Sequence, residues 1–367
     1  MPHQRNRFYD ITSDTATEPT DDMFGIMKTA SRGDDVFGDD SSVNALEAHV
    51  AQLLGQESAL FCVSGCMTNQ LGLRTLLEQP PHSVLVDARS HIFNYECGGL
   101  AYHSQASASP VVPHNGHHIT VQDVESNLIT DTICSPVTKV VALENTLNGS
   151  IMPLDEIRRI REFTLSQGLK MHLDGARLWN ASEETGVPLH EYGQYFDTIS
   201  VCLSKGVGAP IGSILAGSRQ NIIRARHIRK LMGGGWRQAG FLAMTARHCI
   251  DKVVPTMKQT HLLTRRLATG LKALGMELTY PCETNMLFLN TAPTGITVNA
   301  LAAALEKCGI IMSKDSGYEV RIVFHYQIPE HVVDTVISVA SELVEKRKFD
   351  PTPINYVRPT GTIYPTK

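Results

Sequence analysis

Five short apolar runs separated by stretches of helical period constrain this chain more than any other feature. The runs are ALFCV (59–63), SVLVDA (83–88), KVVALE (139–144), LKMHLD (169–174) and TISVCLS (198–204). A run that is apolar at successive positions is buried on both faces of its sheet. Parallel strands buried in this way need a crossover between one strand and the next. The alternation over some 150 residues therefore predicts an α/β fold, with a mostly parallel sheet and helices on both faces.

Helix signals bound two of these runs. Ser42 to Leu54 begins with a serine suited to N-capping and sets Val43, Leu46, Val50 and Leu53 at helical spacing. Leu154 to Gln167 does the same with Leu154, Ile157, Ile160, Phe163 and Leu165, and Gly168 supplies the C-cap. After Asp251 the pattern changes: the helical stretch THLLTRRLATGLKALG is followed by short strands near MELTY, MLFLN and VRIVF and by a helix at VVDTVISVASELVEKRK. The expected organisation is an N-terminal arm at 1–30, a large domain at 31–255, a small α+β domain at 256–350 and a Pro-rich tail at 351–367.

Composition narrows the function classes. Hydrophobic residues make up 42% of the 367 and charged residues 19%, which is globular usage. The net charge of −4 argues against nucleic acid or an anionic membrane as the main partner. The eight cysteines show no CxxC pair or metal-ligand spacing, so they are expected to be reduced, buried and small. No stretch reaches the ~18 apolar residues of a membrane span, and the N-terminus lacks the apolar core of a signal peptide. A reducing, cytoplasmic setting is expected.

In open α/β sheets ligands bind beyond the carboxyl ends of the strands, so the residues there carry most of the functional information. ALFCV leads into Ser64-Gly65-Cys66-Met67-Thr68-Asn69, a turn whose backbone N–H groups and hydroxyl suit an anion at a helix start. LKMHLD ends in Asp174, ahead of Gly175-Ala176-Arg177, and TISVCL is followed by Ser204-Lys205-Gly206. A lysine in a partly desolvated cleft condenses with an aldehyde. Pyridoxal phosphate needs such a lysine, a carboxylate for its ring nitrogen and a cradle for its phosphate. The plain alternative is an Asp–Arg ion pair and a surface lysine. His114, His117 and His118 share a Gly-containing loop but have no carboxylate or cysteine at ligand spacing, so no metal site is expected.

Eight blocks together resemble the pyridoxal-phosphate-dependent threonine aldolases. They are SDTATEPT (13–20), GDDVFGDD (33–40), VSGCMTNQ (63–70), ARSHIFNYECGG (88–99), LENTLNG (143–149), HLDGARLWNA (172–181), CLSKGVGAPIGS (202–213) and GGGWRQAG (233–240). The resemblance runs from about residue 10 to about 345. It implies the fold type I, aspartate-aminotransferase architecture, with a large cofactor-binding domain and a small C-terminal one, in a homodimer or homotetramer with shared sites.

It also implies roles. Lys205 would be the Schiff-base lysine, Asp174 the partner of the ring nitrogen, and His91 the group stacked on the ring. Ser64, Gly65, Cys66, Ser204 and Arg237 would hold the phosphate, Arg237 from the same or a second subunit. Ser13, Arg177 and Arg321 would grip the substrate carboxylate, for which a guanidinium fork is suited. Phe37, Leu147, Asn148 and Lys230 would line the substrate site. His172, two residues before Asp174, is read as supporting or core.

The chain departs from the family pattern at Thr12, where arginine is usual, at Phe37, where tyrosine is, and at Cys66, where threonine is. Many members carry a histidine in the block that holds Leu147 and Asn148 here. The resemblance implies cleavage of L-threonine or L-allo-threonine to glycine and an aldehyde, with His91 or a water it positions as base. Alanine racemases sharing these motifs leave racemisation as the alternative, and a catalytically silent relative as a third.

Overall fold

The computed structural model describes residues 8–130 and 133–349. The tail expected at 351–367 lies outside them. Twelve strands occur among the described residues: β1 Tyr9–Asp10, β2 Ser58–Cys62, β3 His82–Asp87, β4 Ala106–Val111, β5 Thr138–Glu144, β6 Lys170–Asp174, β7 Thr198–Cys202, β8 Ser213–Gly217, β9 Glu277–Leu278, β10 Met286–Asn290, β11 Ile310–Ile311 and β12 Glu319–Val323. The chain divides into two compact units, Glu18–Leu147 with Ile151–Val254, and Met1–Thr17 with Asn148–Ser150 and Pro255–Lys367. The stretch read from sequence as an arm is thus split between them.

The larger unit holds a seven-stranded sheet in the order β2-β8-β7-β6-β5-β3-β4. Neighbours from β7 to β4 pair in parallel, whereas β8 is antiparallel to both β2 and β7. The five apolar runs are strands. Two strands carried too weak a signal to be found. β4 is an edge strand of sequence ASASPV with exposed positions along it, so it has no apolar run to recognise. β8, of sequence SILAG, follows a Gly- and Pro-containing loop and carries only Ile214, Leu215 and Ala216 as an apolar run.

Helix Gly65–Leu76 lies along the sheet with Leu71 in a cluster with Leu60, Cys62 and Leu215, and Leu73 in another with Val84, Val86, Val140 and Ala142. In helix Leu154–Ser166, Ile157 and Ile160 are fully buried, each worth about 1.5–3 kcal/mol of transfer free energy. The helix expected from Ser42 spans Ser41–Leu53, and its cap is Asp40. Asp40 Oδ1 accepts from Ser42 N at 3.1 Å and Val43 N at 3.3 Å, and a carboxylate there also suits the helix dipole.

In the smaller unit β10 pairs antiparallel with β9 and β12, and β1 pairs in parallel with β11. Helices Met257–Ala273, Val298–Glu306 and Glu330–Phe349 cover a core that includes Leu267, Leu271, Leu287, Leu301, Phe324 and Val336. Only Cys62, Cys202 and Cys249 are buried. Cys66, Cys97, Cys134 and Cys308 are exposed and Cys282 is half-buried, which corrects the expectation that all eight fill the core. Among the described residues no helix is long and apolar enough to cross a membrane.

Candidate active site

The carboxyl ends of β2, β5, β6 and β7 bring most of the expected residues together in the larger unit. β2 runs through Val63 into helix Gly65–Leu76, whose N-cap Ser64 accepts from Met67 N at 3.3 Å. The first helical hydrogen bond is Thr68 N to Ser64 O. The N–H groups of Gly65 and Cys66 stand ahead of it, as the first N–H groups of any helix do. A Cβ on Gly65 would lie 2.7 Å from Cys202 Sγ, so glycine is what lets the turn settle on the end of β7. Cys66 carries a thiol pushed up to about 11, by burial first and then by the nearby Glu96 carboxylate.

Asp174 ends β6 and is 2% exposed. Its Oδ1 accepts from Ala176 N at 3.0 Å and its Oδ2 from Asn69 Nδ2 at 2.8 Å. Gly175 N donates to Ser200 O at 2.7 Å, tying the following turn to β7, and Arg177 is buried at the start of helix Leu178–Thr185. Lys205 and Ser204 are half-buried on the loop joining β7 to the antiparallel β8. That loop is closed by Leu203 N to Gly212 O at 3.0 Å, Ala209 N to Leu203 O at 2.9 Å and Gly208 N to Lys205 O at 2.7 Å. The antiparallel strand that the sequence hid is what returns this lysine loop to the sheet.

His91 begins the short helix His91–Asn94. Its backbone N donates to Glu144 Oε2 at 2.8 Å, and its Nδ1 lies 3.0 Å from Glu96 Oε1. Glu96, 6% exposed, also accepts from Asn69 Nδ2 at 2.8 Å and Gln70 Nε2 at 2.5 Å. A carboxylate beside Nδ1 fixes the ring and leaves the other nitrogen, Nε2, to do chemistry. Burial, and then the neighbouring Asp174 carboxylate, hold the Glu144 carboxyl well above the usual range. Cys66, His91 and Glu96 place donor atoms within 4.8 Å of one another.

Sequence reasoning missed Asn69, Glu96 and Glu144 as members of this site. All three stood inside quoted motifs, but nothing in their spacing tells which groups their side chains meet. His172 is fully buried under the helix, and burial lowers its pKa to about 4.

A second group surrounds the Gly233–Gly235 loop. Arg237 pairs with Asp34 at 2.8 Å and lies 5.9 Å over the ring of Phe37, which is 74% exposed. Lys230 borders Gly235, where a Cβ would lie 2.9 Å from its Cδ. Leu147 is buried. Asn148 takes a positive φ of 51°, a conformation that Asn tolerates better than most residues. In the smaller unit Ser13 caps the 3-10 turn Asp14–Ala16, accepting from Thr15 N at 3.2 Å. Arg321, on β12, donates from NH2 to Thr12 O at 3.2 Å. His114 pairs with Asp123 at 2.9 Å, and His117 Nδ1 lies 2.8 Å from His118 Nδ1.

A family model described as beta-eliminating lyase matches residues 10–294. The low-specificity L-threonine aldolase of Eremothecium gossypii is 42% identical over 345 residues, which cover 93% of this chain and 89% of that protein. An alanine racemase of Cochliobolus carbonum is 34% identical over 351 residues, 93% of this chain and 88% of that one. The solved structure of Leishmania major threonine aldolase superposes with a TM-score of 0.78 at 22% identity, over 92% of this chain and 99% of that one, and so shares its fold. The chain belongs to the beta-eliminating lyase family, and low-specificity L-threonine aldolases are among its relatives.

Proposed function

We propose that the protein is a pyridoxal-phosphate enzyme that cleaves L-threonine, L-allo-threonine or a related β-hydroxy amino acid to glycine and an aldehyde. The observation that carries this reading is the convergence, at the carboxyl ends of β2, β6 and β7, of a glycine-fitted helix start (Gly65), a buried carboxylate with both oxygens engaged (Asp174) and a loop lysine (Lys205). This donor set fits the cofactor. Backbone N–H groups at a helix start suit a dianion, and a buried carboxylate suits a protonated ring nitrogen. Ser64, Gly65, Cys66 and Ser204 would hold the phosphate, with Arg237 completing it in a homodimer or homotetramer whose copies share their sites. Bound there, pyridoxal phosphate supplies the sink for the electron pair left at Cα when Cα–Cβ breaks.

The chain's own residues do the rest. Arg177, with Ser13 and Arg321, takes the substrate carboxylate and thereby sets which bond at Cα is broken. His91 accepts the β-hydroxyl proton at Nε2, since Nδ1 faces Glu96, and the aldehyde leaves as that proton is transferred. Cα is then protonated to give glycine. Phe37 and Lys230 border the substrate entrance, and Leu147 and Asn148 lie beyond Cβ. A second reading, alanine racemisation, is favoured by buried, apolar Leu147, which suits a methyl group better than a hydroxyl, and by the racemase relative.

The test has two parts. Borohydride reduction of the yellow holoenzyme should trap the cofactor on Lys205, as read by peptide mapping. Separately, unreduced holoenzyme should release acetaldehyde from threonine faster than it exchanges the α-hydrogen of L-alanine in D2O. Label on another lysine defeats the site. Rapid alanine racemisation without acetaldehyde from either threonine diastereomer transfers the assignment to the second reading.

A further inference from the structure

We propose that Asn69 is a positioning residue whose single amide sets both Asp174 and the Glu96–His91 pair, and that His172 holds that amide in place through its oxygen. The proposal rests on the reading above of Asp174 and His91 as the groups that meet the cofactor.

The hydrogen-bond inventory leaves one arrangement. Asn69 Nδ2 lies 2.8 Å from Glu96 Oε1 and 2.8 Å from Asp174 Oδ2. Nδ2 donates to both oxygens, so these bonds use both amide hydrogens and the amide oxygen is left to accept. That oxygen lies 3.1 Å from His172 Nε2, which must carry the proton between them. His172 Nδ1, 2.9 Å from Thr198 Oγ1, then presents its lone pair to the hydroxyl. A histidine that stays neutral down to about pH 4 satisfies this chain without a positive charge. Reversing the amide would aim a carbonyl oxygen at two carboxylates, and His172 would have to change tautomer to accept its N–H. Both carboxylate contacts would turn repulsive, so they set the amide and His172 receives its oxygen.

The packing protects the arrangement. Helix Gly65–Leu76 passes over the imidazole at Gly72, where a Cβ would lie 2.7 Å from Cε1 and 2.8 Å from Nδ1 of His172. Asn69, His172 and Thr198 are all at most 2% exposed, so water does not compete for these bonds. One direction of influence therefore runs from Thr198 through His172 and Asn69 to two groups on different strand ends. Asn69→Ala would free Asp174 Oδ2 and remove one donor from Glu96 at the same time.

The experiment compares cofactor affinity of the apo-protein, read by quenching of tryptophan fluorescence with added pyridoxal phosphate, and kcat and KM for threonine. Asn69→Ala is expected to weaken cofactor binding about tenfold or more and to lower kcat by a similar factor, with KM changed by less than about threefold. His172→Phe, which keeps the volume but removes both bonds, should move both readouts the same way. His172→Gln, whose amide N–H stands where Nε2 does, should restore most of the loss. A role in stability alone would not separate these two variants in cofactor affinity and kcat.

Affinity and kcat within about twofold of the parent in Asn69→Ala, or equal values for His172→Phe and His172→Gln, would overturn the proposal. Should Asn69→Ala not fold, the His172 pair decides. Should that pair not fold either, Thr198→Val must weaken cofactor binding by about threefold, and unchanged affinity overturns the proposal. If the parent chain itself binds no pyridoxal phosphate, it is the reading of the site that fails. A parent that binds it beside an indifferent Asn69→Ala variant defeats only the positioning role.

Discussion

Asp174 and His91 owe their geometry to side chains that have no chemistry of their own. Asn69, Gln70 and Glu96 form a buried polar cluster beside them, and His172 closes it from below. Such a cluster makes a stability prediction with a definite sign. The pKa of His172 falls from 6.5 to about 4 because burial penalises the charged ring. As pH drops through 6.5 the unfolded chain takes up a proton that the folded chain refuses until about 4. Stability is therefore full above 6.5 and is lost as pH falls toward 4. For His172 the loss over that window is on the order of 3 kcal/mol. Burial lowers the pKa of His325 as well, so it acts in the same direction. Urea unfolding at pH 7 and pH 4.5 should show a smaller pH effect in His172→Gln than in the parent, and an equal effect would refute the attribution. At the same scale, His91→Asn should reduce threonine cleavage far more than cofactor affinity, because it removes the proposed proton acceptor at Nε2 and keeps a donor near Glu96. A parallel fall in both would place His91 in cofactor binding alone.

Among the elements, helix Gly65–Leu76 does most of the organising. Its start offers N–H groups to an anion, its middle covers His172 at Gly72, and Asn69 and Gln70 project from between. Ser64→Ala removes the cap to Met67 N. It should cost about 1 kcal/mol in chemical denaturation and weaken binding of inorganic phosphate to the apo-protein. A change in neither would mean that the cap is dispensable. Helix Arg219–Leu231 is anchored differently. Arg229 pairs with Asp35 at 2.5 Å, both at most 2% exposed, and its NH1 donates to Phe61 O of β2 at 2.5 Å. Arg226 reaches Asp35 at 3.5 Å and Glu47 at 2.5 Å, and Glu47 accepts from Phe61 N at 2.8 Å. Removing one partner strands a buried charge, so Asp35→Ala should destabilise by about 3–5 kcal/mol. A loss below ~1 kcal/mol in urea unfolding would show that the remaining partners compensate.

At the scale of the whole molecule the chain crosses between its two units repeatedly, with residues 148–150 belonging to one and their neighbours on both sides to the other. Arg321, in the smaller unit, is among the residues proposed to grip the substrate carboxylate. Arg321→Ala should therefore keep cofactor binding while kcat/KM for threonine falls roughly 30- to 1,000-fold, the effect of losing one charged hydrogen-bonding partner. Full activity in that variant would remove Arg321 from the site. Local pattern alone made much of this legible. Uninterrupted apolar runs mark buried parallel strands, helical periods mark the crossovers between them, and the titratable residues proposed for the site stand where those runs end, as Asp174 and Lys205 do. Burial of a face is encoded residue by residue, so it can be read from spacing. The antiparallel return through β8, the exposed edge β4, and the meeting of Asn69 with Asp174, 105 positions away, and with Glu96, 27 away, have no local signature. Tertiary structure alone decided these, because a side-chain hydrogen bond depends on which helix lies over which strand, and periodicity constrains only the side an element buries.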